Sequence, residues 1–452
     1  MKNPKHQMTN KFQNPKHQFT VKLSQLLFLI VMLVNPAFGQ NELAWRTLPN
    51  SPTASSRHDD LFFVNPNLGW VVNGAGRINR TTNGGATWQQ QIDVPEYVRS
   101  VGFADSLRGW AGTLSGTNPL YHTTNSGTTW ELVSNIPEPR PDGICGIWVV
   151  DDSVVYASGE YDGPAIVIKS TDRGATWTSM NLSGLADRLV DCYFTTRDSG
   201  FVVGSKNGTS FGDGFPVILH TTNGGITWTT RYDGTRPGEL CWKISFPTRD
   251  VGYVSIEDFV SSPVYFLKTT DAGVTWQEKV FLDSFADEQG IGFATPTLGW
   301  IGGWDNPTYQ TTDGGETWQL SGFGGNVNRF RFLSDTLGYA VGIRVYKYSR
   351  EGTTSIDPAQ GDVLPSDFTL MQNYPNPFNP TTMIAYELPT SSHVTLTVFD
   401  VLGRKVKDIV SENQVAGNHE VEFSAAGLAS GVYLYRITAG RFVQTKKLLL
   451  LR

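Results

Sequence analysis

Cysteine and histidine are scarce, with three and seven copies in 452 residues. Cys145, Cys192 and Cys241 are too few for a disulfide scaffold, fit no zinc spacing and have no histidine at ligand distance in sequence, so no metal site is expected. Secretion would permit one disulfide among them; the alternative is three small buried hydrophobes. Positive charge is also short. Lys plus Arg number 36 against 42 Asp plus Glu, a formal net charge of −6, and no basic stripe interleaves with aromatics, so nucleic acid is not expected as a partner. Helical periodicity is almost absent. Long apolar runs are missing too: the run at 26–34 is too short to span a bilayer, and no transmembrane segment is expected in the mature chain. No Ser/His/Asp or Cys/His constellation stands out, because His58, His122 and His220 fall at scattered repeat positions. The Gly-rich stretch 205–216 precedes no helix and is no phosphate cradle, so no cofactor is expected.

What the chain does have is repetition. TTNGGATW, TTNSGTTW, STDRGATW, TTNGGITW, TTDAGVTW and TTDGGETW begin at residues 81, 123, 170, 221, 269 and 311. A period of about 40 to 50 residues is that of four-stranded propeller blades. Each octet reads as a hairpin turn in which an Asx side chain caps backbone N–H groups, glycine permits positive φ, and Trp is buried between blades. The Asx position is Asn83, Asn125 and Asn223 in three copies and Asp172, Asp271 and Asp313 in the others. A catalytic or metal-binding carboxylate would not tolerate that exchange, whereas a turn cap would. The tryptophans are Trp88, Trp130, Trp177, Trp228, Trp276 and Trp318.

A second phrase precedes each octet: an aromatic, then six positions on a glycine followed by another aromatic. It occurs as Phe63/Gly69/Trp70, Phe103/Gly109/Trp110, Phe194/Gly200/Phe201, Phe246/Gly252/Tyr253, Phe293/Gly299/Trp300 and Phe332/Gly338/Tyr339, with a weakened copy at Val149/Val155/Tyr156. Seven units are therefore expected. The seventh ends in YSREGTTS with no Trp, while Ala44-Trp45-Arg46 resembles the start of an outer strand. The segment after Gln40 is expected to supply that strand, giving an all-β, seven-bladed β-propeller over 41–355, closed without exposed edges.

The octets resemble the Asp-box (BNR) repeat of sialidases and other propellers, a peripheral structural device. The paired phrases are similar to those of the photosystem II stability and assembly factor family, whose members bind protein partners, and xyloglucanase-like glycosidases share the repeat style. Lysines and the short apolar run at 26–34, followed by Ala37-Phe38-Gly39, read as a signal peptide over 1–39.

After a Pro- and Asp-containing linker at 356–367, alternation in VTLTVFD and VYLYRI marks a small Ig-like β-sandwich over 368–452. NPFNPTT, LGRKV, GLASGVYLYRI and KKLLLLR resemble the type A C-terminal sorting domain of the type IX secretion system. That resemblance implies recognition by the translocon at the outer membrane, then release or surface attachment, with Asn376, Pro377, Asn379, Pro380, Gly403, Gly431, Tyr433, Lys446 and Lys447 as the motif residues.

Loops around a propeller funnel are the expected place for a ligand. Arg57, Arg99, Arg140, Arg188, Arg236 and Arg329 are assigned to blade-joining loops, with Asp191, Glu239 and Trp242 as further contacts and Asp59, Asp142 and Glu288 in the same loops. The leading expectation is a non-catalytic surface propeller that binds a protein or a glycan there. A glycoside hydrolase would instead need two carboxylates about 5 to 9.5 Å apart, and no motif singles out such a pair. A sialidase fits less well, since that family has six units and no FRIP phrase or Arg triad is evident. A purely structural role is the third reading.

Overall fold

The computed structural model describes residues 42–54, 57–208, 213–259, 262–284, 286–304, 306–350, 368–373, 376–414 and 417–451. The segments expected as a signal peptide (1–39) and as a linker (356–367), and positions 209–212 of the Gly-rich stretch, lie outside them. Strands follow in antiparallel sets of four, each set one blade: 58–93, 98–132, 146–181, 188–233, 239–282 and 287–320 are blades 1 to 6. Blade 7 joins Arg329–Ser334, Leu337–Val341 and Val345–Arg350 to Leu43–Thr47, in which Trp45 stands opposite Tyr348. The chain is thus all-β with a seven-bladed propeller, its last sheet completed by a strand from the start of the described chain.

The octets owe their uniformity to one hydrogen-bond pattern. In blade 1 the Thr81 hydroxyl donates to Asn83 Oδ1 (3.0 Å) and accepts from Gly85 N–H (2.9 Å), while Thr87 N–H donates to Asn83 Oδ1 (2.9 Å). Asn and Asp differ only at the last contact. Asn83 Nδ2 donates to Thr87 Oγ1 (2.9 Å), whereas Thr275 Oγ1 donates to Asp271 Oδ2 (2.6 Å). A hydroxyl both donates and accepts, so the threonine reverses its role and either residue closes the turn. Asp271→Asn should therefore leave the melting temperature unchanged and Asp271→Ala should lower it. An equal loss in both variants would show that the carboxylate charge matters after all.

Aromatic stacking links one blade to the next. Trp70 lies 3.5 Å from Phe103 of blade 2, Tyr156 3.6 Å from Phe194 of blade 4, and Tyr253 3.5 Å from Phe293 of blade 6, each pair stacked with nearly parallel rings. Tyr339 of blade 7 stacks on Phe63 of blade 1 at 3.6 Å, so the same contact closes the ring. The octet tryptophans meet these phenylalanines edge-on, as Trp88 does Phe63 and Trp130 does Phe103. The glycine follows from that ring. A Cβ on Gly69 would lie 2.5 Å from the Phe63 ring, and one on Gly109 the same distance from Phe103. Blade 3 has Val149 in place of the phenylalanine, and there the glycine is replaced by Val155. The weakened copy is a paired exchange: without the ring, a side chain fits.

In the C-terminal region a three-stranded sheet (Thr369–Leu370, Thr381–Leu388, Gly417–Ser424) and a four-stranded sheet (Lys405–Gln414, Ser392–Asp400, Gly431–Ala439, Phe442–Leu450) enclose a core of Phe378, Ile384, Leu396, Phe423, Tyr435 and Leu448, among others. The sorting-motif residues stitch its ends together. Asn376 Oδ1 accepts Leu449 N–H (2.8 Å), and Phe378 N–H donates to Leu449 O (2.9 Å) beside the terminal strand that carries Lys446 and Lys447. Pro380 O accepts Ala425 N–H (2.8 Å). Gly403 takes φ +77° in a turn whose Asp400 Oδ1 accepts Leu402 and Arg404 N–H (2.9 and 3.0 Å). The Tyr433 hydroxyl donates to Ala429 O (2.8 Å), two residues before Gly431.

Candidate functional site

Five inner strands carry a β-bulge near their first residues, where the pairing skips Asp59, Arg99, Val190, Trp242 with Lys243, and Gln289. A bulge interrupts strict alternation and re-aims side chains. All six residues are buried, and several touch blades that are not their neighbours, which in a closed ring means contact across the axis.

Arg99 of blade 2 lies over the Trp242 ring of blade 5 at 5.2 Å. Arg329 of blade 7 donates through Nη1 and Nη2 to Asp191 of blade 4 at 2.7 and 2.9 Å. Trp242 Nε1 donates to Asn328 Oδ1 (2.8 Å), and Asn328 Nδ2 to Asp59 O (2.7 Å). Asp59 accepts from Arg57 Nε (3.0 Å), from Arg99 Nη1 and from the Tyr97 hydroxyl (2.6 Å). Arg57 also donates to Gln289, which donates to Glu257 (2.6 Å). Asp60 meets Arg329 (3.1 Å) and Arg331 (3.3 Å). The axis is therefore occupied by a polar network between non-adjacent blades.

The expectation of an exposed arginine face needs correcting. Arg57, Arg99, Arg188 and Arg329 are buried, as are Asp59, Asp191, Glu239, Glu288 and Trp242, and of the four arginines only Arg57 lies outside a strand. Residues adjoining a connecting loop read as loop residues, but the bulges and cross-axis partners draw these inward. Arg188 faces Asp213 (3.7 Å). Half-buried Arg236 pairs with Glu239 and Glu278, and Arg140 is exposed, as is Asp142. Asp60, Lys243, Glu257, Gln289, Asn328 and Arg331 were missed; no repeat phrase marks them. The cysteines are free and buried. His122 and His220 stack on Trp110 and Phe201 at 5.2 and 4.4 Å, at the strand position that holds Lys169 opposite Tyr156. His58 is buried, its Nε2 2.9 Å from Pro52 O. A depression of about 110 Å³ beside Lys268, Lys279 and Glu316 lies off the axis, and its charges pair with one another.

Burial would raise the Asp59 and Asp191 carboxyls, but Arg99 and Arg57 on one and Arg329 and Lys243 on the other hold both below the usual range. Elsewhere burial prevails: it brings Lys243 down to about 7 with help from Arg329, Glu257 up to about 8, and Glu288 well up. Half-buried Glu160 is raised to about 7 by burial and then by Asp162 and Asp142.

Glu257 makes stability depend on pH. The fold keeps its proton up to about 8, while the unfolded chain releases it near 4.5, so its contribution is complete below that lower value and is lost as pH rises between the two, by up to about 1.4 kcal/mol per unit. Lys243 acts with the opposite sign only above about 7. Glu257→Gln should therefore flatten the fall in stability from acidic to neutral pH in denaturant titrations. An unchanged slope would place the Glu257 charge elsewhere.

Comparison with known proteins follows these two parts. Residues 372–451 match the family model of the secretion system C-terminal sorting domain. No curated protein matches the chain. Among solved structures, YCF48 bound to D1 peptide aligns with a TM-score of 0.52 and 18% identity over 70% of this chain and 99% of that one. YCF48 from Cyanidioschyzon merolae gives 0.54 and 16% over 68% and 100%. The GH74 xyloglucanase from Xanthomonas campestris gives 0.51 and 14% over 83% of this chain and 63% of its own. At such identities these structures establish the fold. The class is thus a seven-bladed propeller carrying a secretion-system sorting domain, and that domain directs type IX export to the cell surface or the medium.

Proposed function

We propose that this is a non-catalytic propeller that binds a protein or a glycan through the face around its axis, after entering the periplasm by a signal peptide over 1–39. In this reading 41–355 is the propeller, 356–367 a linker, 368–452 the address read by the translocon, and the octets are Asp-box repeats. The observation that carries the binding reading is the commitment of the axial carboxylates. Asp59, Asp60 and Asp191 each serve two arginines or an arginine and a backbone N–H of the next blade, as Asp191 does with Ile244. A hydrolytic pair needs access to substrate and one carboxyl free to give up a proton. Exposed Arg140 and Asp162, with half-buried Tyr161 and Arg236, leave a mixed-charge rim suited to recognition. The peptide bound to YCF48 supports a protein segment as ligand.

The test is an array of peptides and glycans probed with the purified full chain. A ligand whose binding weakens in Arg140→Glu, with melting temperature unchanged, supports the reading; binding indifferent to rim charge contradicts it. For the address, removal of residues 427–452 should leave the protein in the periplasm, and normal export of that truncation would refute it. The GH74 likeness gains one specific point from Glu160, whose proton is held to about pH 7 beside Asp142 and Asp162, as a general acid requires. A secreted glycoside hydrolase is therefore the second reading.

A further inference from the structure

In the C-terminal region the four-stranded sheet of Lys405–Gln414, Ser392–Asp400, Gly431–Ala439 and Phe442–Leu450 carries apolar residues on both faces. A strand sends alternate side chains to opposite faces, so the leucines at 448–451 cannot all enter the core. Leu448 and Leu450 are buried in it, whereas half-buried Leu449 faces out and Leu451 is exposed. Gly431–Ala439 repeats the division, with Tyr435 and Ile437 buried and Val432 exposed. The turn after Asp400 adds two more. Asp400 caps it and Gly403 gives it a positive φ, yet the positions between them hold Val401 and Leu402, 65 and 74% exposed, where turns favour polar residues.

The register brings these residues to one end of the sheet. Asp400 stands opposite Tyr433, so Val401 comes beside Val432; Val432 stands opposite Leu449, and Leu451 follows Leu450, which faces Gly431 across the pair. Cations border them. Arg404 and Lys405 pair with Asp400 and Asp408, but Lys447, opposite Leu434, and Arg436, over the Phe399 ring at 5.1 Å, have no carboxylate partner among the described residues. The sorting-motif residues, by contrast, are spent inside the domain: Asn376 accepts Leu449 N–H, Gly403 makes the turn, and the Tyr433 hydroxyl donates to Ala429 O.

We propose that Val401, Leu402, Val432 and Leu451 form the surface by which the exported chain is read, and that their partner is a protein of the secretion machinery with an apolar pocket and an acidic rim. The proposal rests on the reading of 368–452 as the translocon's address. The patch lies within the sorting domain, the part of the chain that directs export, and an exposed apolar patch with a polar border is a mark of an interaction surface. Its unpaired cations favour carboxylates opposite. A turn tip is convex, and convex apolar anchors are buried in pockets. The motif residues then act by holding the tip in place.

The test is export of the full chain from a bacterium with a type IX system, comparing protein in the periplasm with protein outside the cell. Val401→Ser with Leu402→Ser should lower the exported fraction at least about tenfold, the loss expected when one leucine no longer fills a pocket, and Lys447→Glu should lower it too. Val443→Ser, on the same face and 57% exposed but at the other end of the sheet, should be exported like wild type. Normal export of the tip variant, or an equal loss in Val443→Ser, would overturn the proposal. Retention of the chain lacking 427–452 would then leave the address itself standing, whereas normal export of that truncation would refute the address as well. If the tip substitutions lower the melting temperature of the purified chain, Leu451→Ser decides, since it leaves the turn intact: retention supports the patch and normal export rejects it. Flotation with phosphatidylethanolamine and phosphatidylglycerol vesicles separates a protein from a lipid surface. Vesicle binding by wild type that is lost in the tip variant would mean that the patch meets a membrane, and would overturn the pocket.

Discussion

Trp45→Ala is expected to lower stability by about 3–5 kcal/mol, the cost of removing a large aromatic from a packed site. Trp45 stacks on Phe323 at 4.8 Å and meets Trp300, Phe330, Phe332 and Tyr348 at 5.3 to 5.9 Å. Its position against Phe332 repeats that of Trp88 against Phe63, so it takes the place of the octet tryptophan that blade 7 lacks. The loss should exceed that of one cavity in its consequences, because among the described strands Leu43–Thr47 pairs only with Val345–Arg350. A weakened strand there exposes the last sheet edge and loosens the Tyr339–Phe63 stack that joins blade 7 to blade 1. Denaturant titration should show a lower midpoint; a midpoint equal to wild type would mean that the ring does not depend on this strand.

Arg329→Met should cost a similar amount, about 3–5 kcal/mol, for a different reason: it leaves Asp191 buried with its bidentate partner gone. Lys243 remains nearby and, freed of the Arg329 charge that helps burial bring it down to about 7, is more fully charged in the variant, but it lacks the bidentate fork that Arg329 offers Asp191. The pair itself need not be a large net stabiliser, since two buried ions cost much of what their attraction returns. Arg329→Met combined with Asp191→Leu should therefore recover part of the single variant's loss. The sign with pH is also fixed. In wild type Asp191 is held below its unfolded value of 3.8, so it stabilises above that value and the contribution fades as pH falls through the folded one. Without Arg329, burial raises the carboxyl instead, and the variant's deficit should shrink on acidification. A deficit that is constant with pH, and not relieved in the double variant, would show that Arg329 acts by packing alone.

Blade number and tail were legible in the sequence because both rest on local chemistry. A turn that needs Asx, two left-handed residues and a threonine prints the same octet six times, and a ring against a backbone prints phenylalanine six residues before glycine. The exchange at Val149 and Val155 obeys the same rule in reverse. The axis was not legible in this way. One skipped residue per strand turns Asp59, Arg99 and Gln289 inward, and nothing in the alternation of apolar and polar residues marks the skip. Several partners in the network lie across the ring, as Trp242 does from Arg99 and Arg329 from Asp191, 138 positions apart, so each charge read singly resembles an ordinary surface residue. Arg57, Arg99 and Arg329, expected with three other arginines on ligand-binding loops, instead hold blades together inside the funnel.

The measurement that bears most directly on the account is reducing-end release by the purified mature chain over a panel of polysaccharides, run beside Glu160→Gln. The account predicts no release above the blank from either protein, including on any glycan that the chain binds. Release by wild type that disappears in Glu160→Gln would contradict it and make the rim of blade 3 the active site of a hydrolase.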